Sequence, residues 1–545
     1  MMNKVTQDMV LKLIKSKDIL YSLIDVRERT EYNKKQILFA INIPKSQVEF
    51  RISKLVPVKD TQIILYDNDE SRSTLVAKTL GELGYTNVDI LKGGLNQWEG
   101  HNEYLINGVN VPSKAFAEIV YEEEHVPDIE AHKLYERMQK GENDFTVIEI
   151  RPREEVNITG SIPGAINITG VDIIHSIHDY VDNEKDLIIT CAGRTRGIIG
   201  TQILRKMGFQ NVYNLRNGTM GWLLANQELD DNIPLVKLSC KSNSSKLDSF
   251  INQVIDENNI ELISLDCYQD LRNASDHQTL FEIDVRTPLE YEEGHIPGTY
   301  KLPGGQVIQA TDDHIGVRNG NIVLISNSRH RAVITAYWLK ESGYPKVMVL
   351  DGGIELWKNS NLPIEKGEVQ DDVPLGYNTS YKKGNRIVAS ELKERLESDS
   401  KLIVIDIDTS KGYQKGHIPN SLWLSRSWLE FNIREVAKES DMVILTDRNG
   451  YSSTLSAKTL KELGYEDVYV LEGGKKAWSE AGYTFENGKK GIIKEPDDIA
   501  YHPYEISEKA MIDYLEWEIG LEEQFKPLRA IYHPLQDFGG IMNKK

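Results

Sequence analysis

Leu83-Gly84-Tyr85 leads through Lys92-Gly93-Gly94 to Trp98, and the same pattern returns three times further along the chain. Its copies are Met207-Gly208-Phe209, Arg216-Asn217-Gly218 and Trp222; Ser342-Gly343-Tyr344, Asp351-Gly352-Gly353 and Trp357; and Leu463-Gly464-Tyr465, Glu472-Gly473-Gly474 and Trp478. Each copy reads as a helix end running into a strand, a tight turn and a second helix. A period of roughly 120 residues makes this an internal repeat, and a pattern recurring in order decides the architecture better than any single motif can.

Working outward, each copy is preceded by a β-branched run that ends in an acid and, in three cases, an arginine. These runs are Leu23-Ile24-Asp25-Val26-Arg27, Val147-Ile148-Glu149-Ile150-Arg151, Phe281-Glu282-Ile283-Asp284-Val285-Arg286 and Val404-Ile405-Asp406-Ile407-Asp408. They read as buried strands reaching a polar edge. An Ile-Pro turn follows at Gly160-Ser161-Ile162-Pro163-Gly164, Gly294-His295-Ile296-Pro297-Gly298 and Gly416-His417-Ile418-Pro419, while the first copy is degenerate, with its proline at Pro44. A second apolar strand comes next (63–65, 187–189, 322–324, 442–445), then a polar loop and an amphipathic helix.

This alternation predicts an α/β fold of four tandem domains, each a small parallel sheet with helices on both faces. The expected boundaries are 1–104, 111–236, 246–366 and 384–487, with 488–545 as a C-terminal helical extension. Polar, irregular links are expected at 102–110, 239–246 and 366–384. In the extension a helix over 507–525, with Ile512, Leu515, Ile519 and Phe525 as its apolar stripe, is expected to dock on a domain or a second subunit.

Bulk properties exclude several classes. The 545 residues exceed one core, and a net charge of -19, from 83 acidic against 64 basic side chains, disfavours a nucleic-acid partner. No run approaches the roughly 18 apolar residues of a membrane span, and the first residues lack a secretory pattern, so a cytoplasmic protein without a membrane partner is expected. Three cysteines, at 191, 240 and 267, form no Cys-x-x-Cys pair; a disulfide framework, a metal site and a cofactor are not expected.

Asp-Val-Arg, then Gly-His-Ile-Pro-Gly, then a loop after a strand, then Leu-Gly-Tyr, Gly-Gly and Trp resembles the rhodanese superfamily, and four copies resemble the multidomain rhodanese-related sulfurtransferases of bacteria. The resemblance covers about residues 5–487. It implies a persulfide on a cysteine that opens a six-residue loop between strand and helix. Aligned on the preceding strands, that position holds Asp67, Cys191, Ser326 and Asp447. Only Cys191 can accept sulfur. The resemblance also implies a thiosulfate-type sulfurtransferase with a small-molecule sulfur donor and a thiol or cyanide acceptor; a protein acceptor and a homo-oligomer stay open.

Thr190-Cys191-Ala192-Gly193-Arg194-Thr195-Arg196-Gly197 precedes a helix expected at 198–207. A loop wrapped onto a helix start points backbone N–H groups inward, where the dipole favours an anion. Residues Ala192, Gly193, Arg194, Thr195 and Arg196 are therefore read as substrate-binding: the small pair lets the backbone curl, and the two arginines add positive charge expected to lower the Cys191 thiol pKa. By the resemblance, Glu149 and Arg151 shape and charge-balance the loop, and Thr219 or Met220 lines the pocket.

Blander readings cover the rest. Arg194 and Arg196 read alternatively as salt-bridge partners on a surface turn, Cys240 and Cys267 have no activating neighbours, His295 and His417 are structural, the four repeated Trp residues are core, and the Asp67, Ser326 and Asp447 loops are scaffolds. Two rival functions stand beside sulfur transfer. One is a cysteine-loop phosphatase or arsenate reductase, although such enzymes resemble Cys-x5-Arg and here Arg196 gives Cys-x4-Arg. The other is a sulfur-carrier or interaction platform with little turnover.

Overall fold

The computed structural model describes residues 3–180, 185–233, 245–368, 373–398 and 402–528. Each repeat is a five-stranded, wholly parallel sheet, and the strand order is the same in all four. In the second repeat the strands are Asp128–Ile129, Phe145–Glu149, Ile166–Asn167, Asp186–Thr190 and Val212–Leu215, ordered third, second, fourth, fifth, first. The central strand is continuously apolar because both its faces are covered; Leu187, Ile188 and Ile189 are fully buried. On one face Ala131, Leu134 and Trp222 pack with Val147, Ile188 and Leu215; on the other, Gly200 of the helix Thr195–Lys206 comes against Ile150 and Ile189.

Register then places the chemistry. Thr190 lies opposite Glu149, and Ile189 opposite Asn214, so the loop opening with Cys191 starts at the carboxyl edge of the sheet beside both polar residues. The turn after the fifth strand clamps that loop. Asn217 and Gly218 have positive φ of 64° and 56°, and a Cβ on Gly218 would overlap the Cys191 carbonyl. The closeness lets Thr219 N–H donate to Cys191 O at 2.8 Å. The same bond runs from Leu95 to Asp67, from Ile354 to Ser326 and from Lys475 to Asp447, which fixes these four residues as structural equivalents.

Trp222, Trp357 and Trp478 each bury the indole and donate Nε1–H to a carbonyl six residues on, as core anchors do. His295 and His417 are likewise structural: each stacks on a tyrosine, Tyr291 or Tyr413, and bonds that tyrosine's carbonyl through Nδ1.

The chain forms two compact units. Met1–Ile14, Tyr21–Gly108 and Gln370–Ala500 make one, holding the first and fourth repeats; Lys15–Leu20, Val109–Val369 and Tyr501–Lys545 make the other, holding the second and third. The C-terminal extension is thus divided between them at residue 500.

Several local expectations need correction. The helix after Cys191 begins at Thr195 rather than 198, so Thr195 and Arg196 belong to its first turn. The link 102–110 contains a short strand, Leu105–Ile106, paired antiparallel with Gln36–Ile37. The terminal helix is split: Ser507 caps Glu508–Ile519 by accepting Ala510 N–H, and a second helix, Leu521–Phe525, follows Gly520. Its buried face is Met511, Leu515 and Glu518, spaced four and three residues apart, while Ile512 and Ile519 are exposed at 40% and 51%. Cys240 and most of the link 239–246 lie outside the described residues. Among the described residues no helix is long and apolar enough to cross a membrane.

Candidate active site

Cys191 follows the last residue of the central strand and is 2% exposed. Gly197 N–H donates to its Sγ at 3.3 Å from the first turn of the helix. Burial pushes the thiol above its ordinary range, and this outweighs the opposing pull of the Arg196 charge and the backbone N–H groups of Gly197 and Gly193. The sequence led to the opposite expectation, a lowered pKa. The physical reason for the difference is first the burial of the sulfur, and then the Glu149 charge beside it.

Arg196 makes a two-pronged pair with Glu155 at 2.7 and 2.8 Å. Arg194 is committed to Glu118 by two bonds of 2.6 Å, reaches Asn217 Oδ1 at 3.2 Å, and lies over the Tyr121 ring. Arg151 holds Glu149 at 2.7 Å and also donates to Thr159 Oγ1 and the Gly160 carbonyl, and Ser161 Oγ donates to Glu149 at 2.6 Å. Each guanidinium is thus matched by a carboxylate. Two charges act on Cys191, Arg196 favouring the thiolate and Glu149 opposing it, and the donors aimed at Sγ are the backbone N–H groups of Gly197 and Gly193. Ala192 serves through its carbonyl, which accepts Met220 N–H at 3.0 Å.

Three further groups close the site. A Cβ on Gly193 would stand 2.9 Å from Met220 Cε, 3.3 Å from Glu518 Oε2 and 3.9 Å from Tyr514 Cε1, so these side chains press directly on the loop and a larger residue there would have to displace the Met220 methyl. Thr195 Oγ1 donates to Glu518 Oε1 at 2.8 Å. Met220, Met511 and Leu515 form a small apolar cluster joined by Tyr504 and Tyr514, and Lys114 lies over the faces of Tyr514 and Trp517.

Under the loop, Asn214 is fully buried with neither amide atom hydrogen-bonded, and its Oδ1 fills the space that a Cβ on Gly197 would occupy. The register positions equivalent to Asn214 in the other repeats are the aliphatic Ile90, Val349 and Val470.

The other loops show what the cradle does without a thiol. Asp67 accepts N–H groups from Glu70 and Arg72 at 2.8 and 2.7 Å, and hydroxyls from Ser71 and Ser73. Asp447 accepts Ser452 and Ser453 N–H groups, each at 3.2 Å, and the Ser453 hydroxyl. In both, a carboxylate of the loop itself occupies the ring of donors. Ser326 accepts Ser328 N–H at 3.1 Å. The fourth repeat also re-sources its cation: Asp408 stands where the others have arginine, and Lys475 bridges Asp406 and Asp408 at 3.1 and 2.9 Å.

Glu118, Glu155, Asn214, Tyr514 and Glu518 were missed from sequence. Asn214 alone carried a signal, as a polar residue at a strand position that is aliphatic in the other copies.

The rhodanese-like domain model matches residues 6–101, 130–225, 265–360 and 388–481. The chain therefore belongs to the rhodanese-like domain family, as four tandem copies. A thiosulfate sulfurtransferase from Pseudomonas aeruginosa, known as a crystal structure, is similar over 98% of this chain and 99% of its own, at 32% identity and a TM-score of 0.89. The thiosulfate sulfurtransferase GlpE of Pseudoalteromonas translucida is 40% identical over 99 residues, 18% of this chain and 90% of that protein. The 3-mercaptopyruvate sulfurtransferase of Homo sapiens is 24% identical over 233 residues, 35% of this chain and 78% of that protein.

Proposed function

We propose that the protein is a sulfurtransferase in which Cys191 carries sulfane sulfur from a donor such as thiosulfate to a thiol or cyanide acceptor. One observation carries the reading: Cys191 Sγ is reached by the backbone N–H groups of Gly197 and Gly193, in a loop whose equivalents in the first and fourth repeats hold a carboxylate on their own N–H groups. A site that accepts a carboxylate there suits a thiolate or a terminal persulfide sulfur, both of which need N–H donors rather than water.

In the proposed cycle the thiol loses its proton to solvent and the thiolate attacks the outer sulfur of thiosulfate. A sulfur–sulfur bond to Cys191 forms, the bond to the sulfonate sulfur breaks, and sulfite leaves with the electron pair. Cyanide or a thiolate then takes the outer sulfur and the Cys191 thiolate returns. The paired arginines keep the loop in shape, Glu149 and Arg151 hold its base, and the N–H groups of Gly193 and Gly197 carry the charge on sulfur. A reducing cytoplasm suits a thiol that must stay free.

The expected result is thiocyanate formation from thiosulfate and cyanide that Cys191→Ser abolishes, with no hydrolysis of a chromogenic phosphate ester in the same preparation. Phosphate-ester turnover that depends on Cys191 would instead support the cysteine-loop phosphatase, and thiocyanate formation unchanged in Cys191→Ser would refute the role of this thiol.

A further inference from the structure

Glu518 is 1% exposed, and it belongs to the terminal helix rather than to the loop it faces. One of its carboxylate oxygens accepts Thr195 Oγ1; the other, Oε2, has no hydrogen-bond partner among the described residues and points at Gly193, two residues from Cys191. A buried carboxylate oxygen left unpaired is costly. The neighbouring acids are all held by arginine: Glu118 by Arg194, Glu155 by Arg196 and Glu149 by Arg151. Glu518 has no such ion pair among the described residues. Its negative charge is felt by Arg194, which is itself bonded to Glu118, and Oε2 faces whatever enters beside Gly193 with little water to screen it.

We infer that Glu518 is a specificity-determining residue of the Cys191 site, discriminating against reagents that bring negative charge and favouring sulfur donors with an uncharged or cationic carrier, such as a persulfide held on a peptide thiol. The donor class rests on the sulfur-transfer reading above; the charge discrimination stands on the geometry of Glu518 alone. Tyr514 belongs to the same wall, and its hydroxyl is held well above the usual phenol range by burial and then by the Glu518 and Cys191 charges. Thiosulfate, a dianion, is on this account a substrate with a KM raised by Glu518.

The test uses the full chain and two alkylating agents of similar size, anionic iodoacetate and neutral iodoacetamide, with modification of Cys191 followed by peptide mass spectrometry. Cys267, which is exposed, is the reference in the same sample. Glu518→Gln is expected to raise the iodoacetate-to-iodoacetamide rate ratio at Cys191 about tenfold and to leave the ratio at Cys267 unchanged. Glu518→Asp, which keeps the charge, should return the Cys191 ratio toward that of the unmodified chain. A structural effect alone would change both reagents' rates together, so an unchanged ratio in Glu518→Gln overturns the inference. If the ratio shifts while no variant takes up sulfur, the discrimination stands and the sulfur-transfer reading fails; if sulfur uptake proceeds and the ratio does not move, the reverse holds.

Discussion

The Cys191 and Asp67 loops leave equivalent strands, are clamped by equivalent turns and end at equivalent helices, yet they use their inward-pointing donors in opposite ways. Asp67 satisfies the ring from within: its carboxylate takes two backbone N–H groups and two hydroxyls, leaving nothing for a ligand to do. Cys191 is a weaker acceptor, reached by Gly197 N–H at 3.3 Å. A thiol in that position leaves donors that gain strength once the sulfur becomes negative. The difference shows how one backbone can have its inward donors taken up by the opening residue or left available to a negatively charged sulfur.

Charge balance around the loops differs as well. In the second repeat each arginine near the thiol is tied to its own acid: Arg194 is committed to Glu118, whereas the Arg196 charge still favours the thiolate but is outweighed by burial. Arg194→Ala should leave Glu118 buried without a partner and lower stability by about 3–5 kcal/mol, measured by chemical denaturation. The double variant Arg194→Leu with Glu118→Leu should recover most of that loss, because it removes the orphaned charge along with its partner.

The raised thiol pKa gives the next effect. Burial disfavours the thiolate, so below the folded pKa the reactive fraction grows about tenfold for each pH unit. Alkylation of Cys191 by iodoacetamide should therefore keep rising through pH 9, and a plateau by pH 8 would show that the positive field, not burial, governs the sulfur.

Removing the plug of the first repeat is a smaller perturbation. Asp67→Ala leaves the Glu70 and Arg72 N–H groups without their acceptor, and should cost about 2 kcal/mol, with faster hydrogen exchange at those two amides. Sulfur uptake by the chain should not change, since the variant adds no thiol. The smallest effect concerns the helix that covers Cys191: Ser507→Ala removes its cap, is expected to cost about 1 kcal/mol, and should modestly increase the alkylation rate at Cys191 relative to Cys267.

The fold was legible because its signals are local and repeated. Strand, tight turn and tryptophan fall at the same spacing four times, the turn being Gly-Gly in three copies and Asn217-Gly218 in the second, and the bond from the turn to the loop-opening residue recurs in each copy. Cys191 was legible by position for the same reason. The environment of Cys191 was not, because its partners come from far along the chain: Glu155 lies 41 residues from Arg196, Glu118 76 from Arg194, and Glu518 323 from Thr195. No local pattern marks Glu118 as the acid that holds Arg194. The terminal helix was foreseen but its face only in part: Leu515 and Phe525 are buried as expected, whereas Ile512 and Ile519 are exposed and the acid Glu518 is buried. Hydrophobicity alone points such a helix the wrong way when it carries a charged residue into a site.

Intact-mass measurement of the full chain after incubation with a sulfane-sulfur donor is the most direct check on Cys191. A gain of one sulfur atom, reversed by a thiol reductant and absent from Cys191→Ser, is the expected result. No gain with thiosulfate, mercaptopyruvate or glutathione persulfide, or a gain that survives Cys191→Ser, would contradict it.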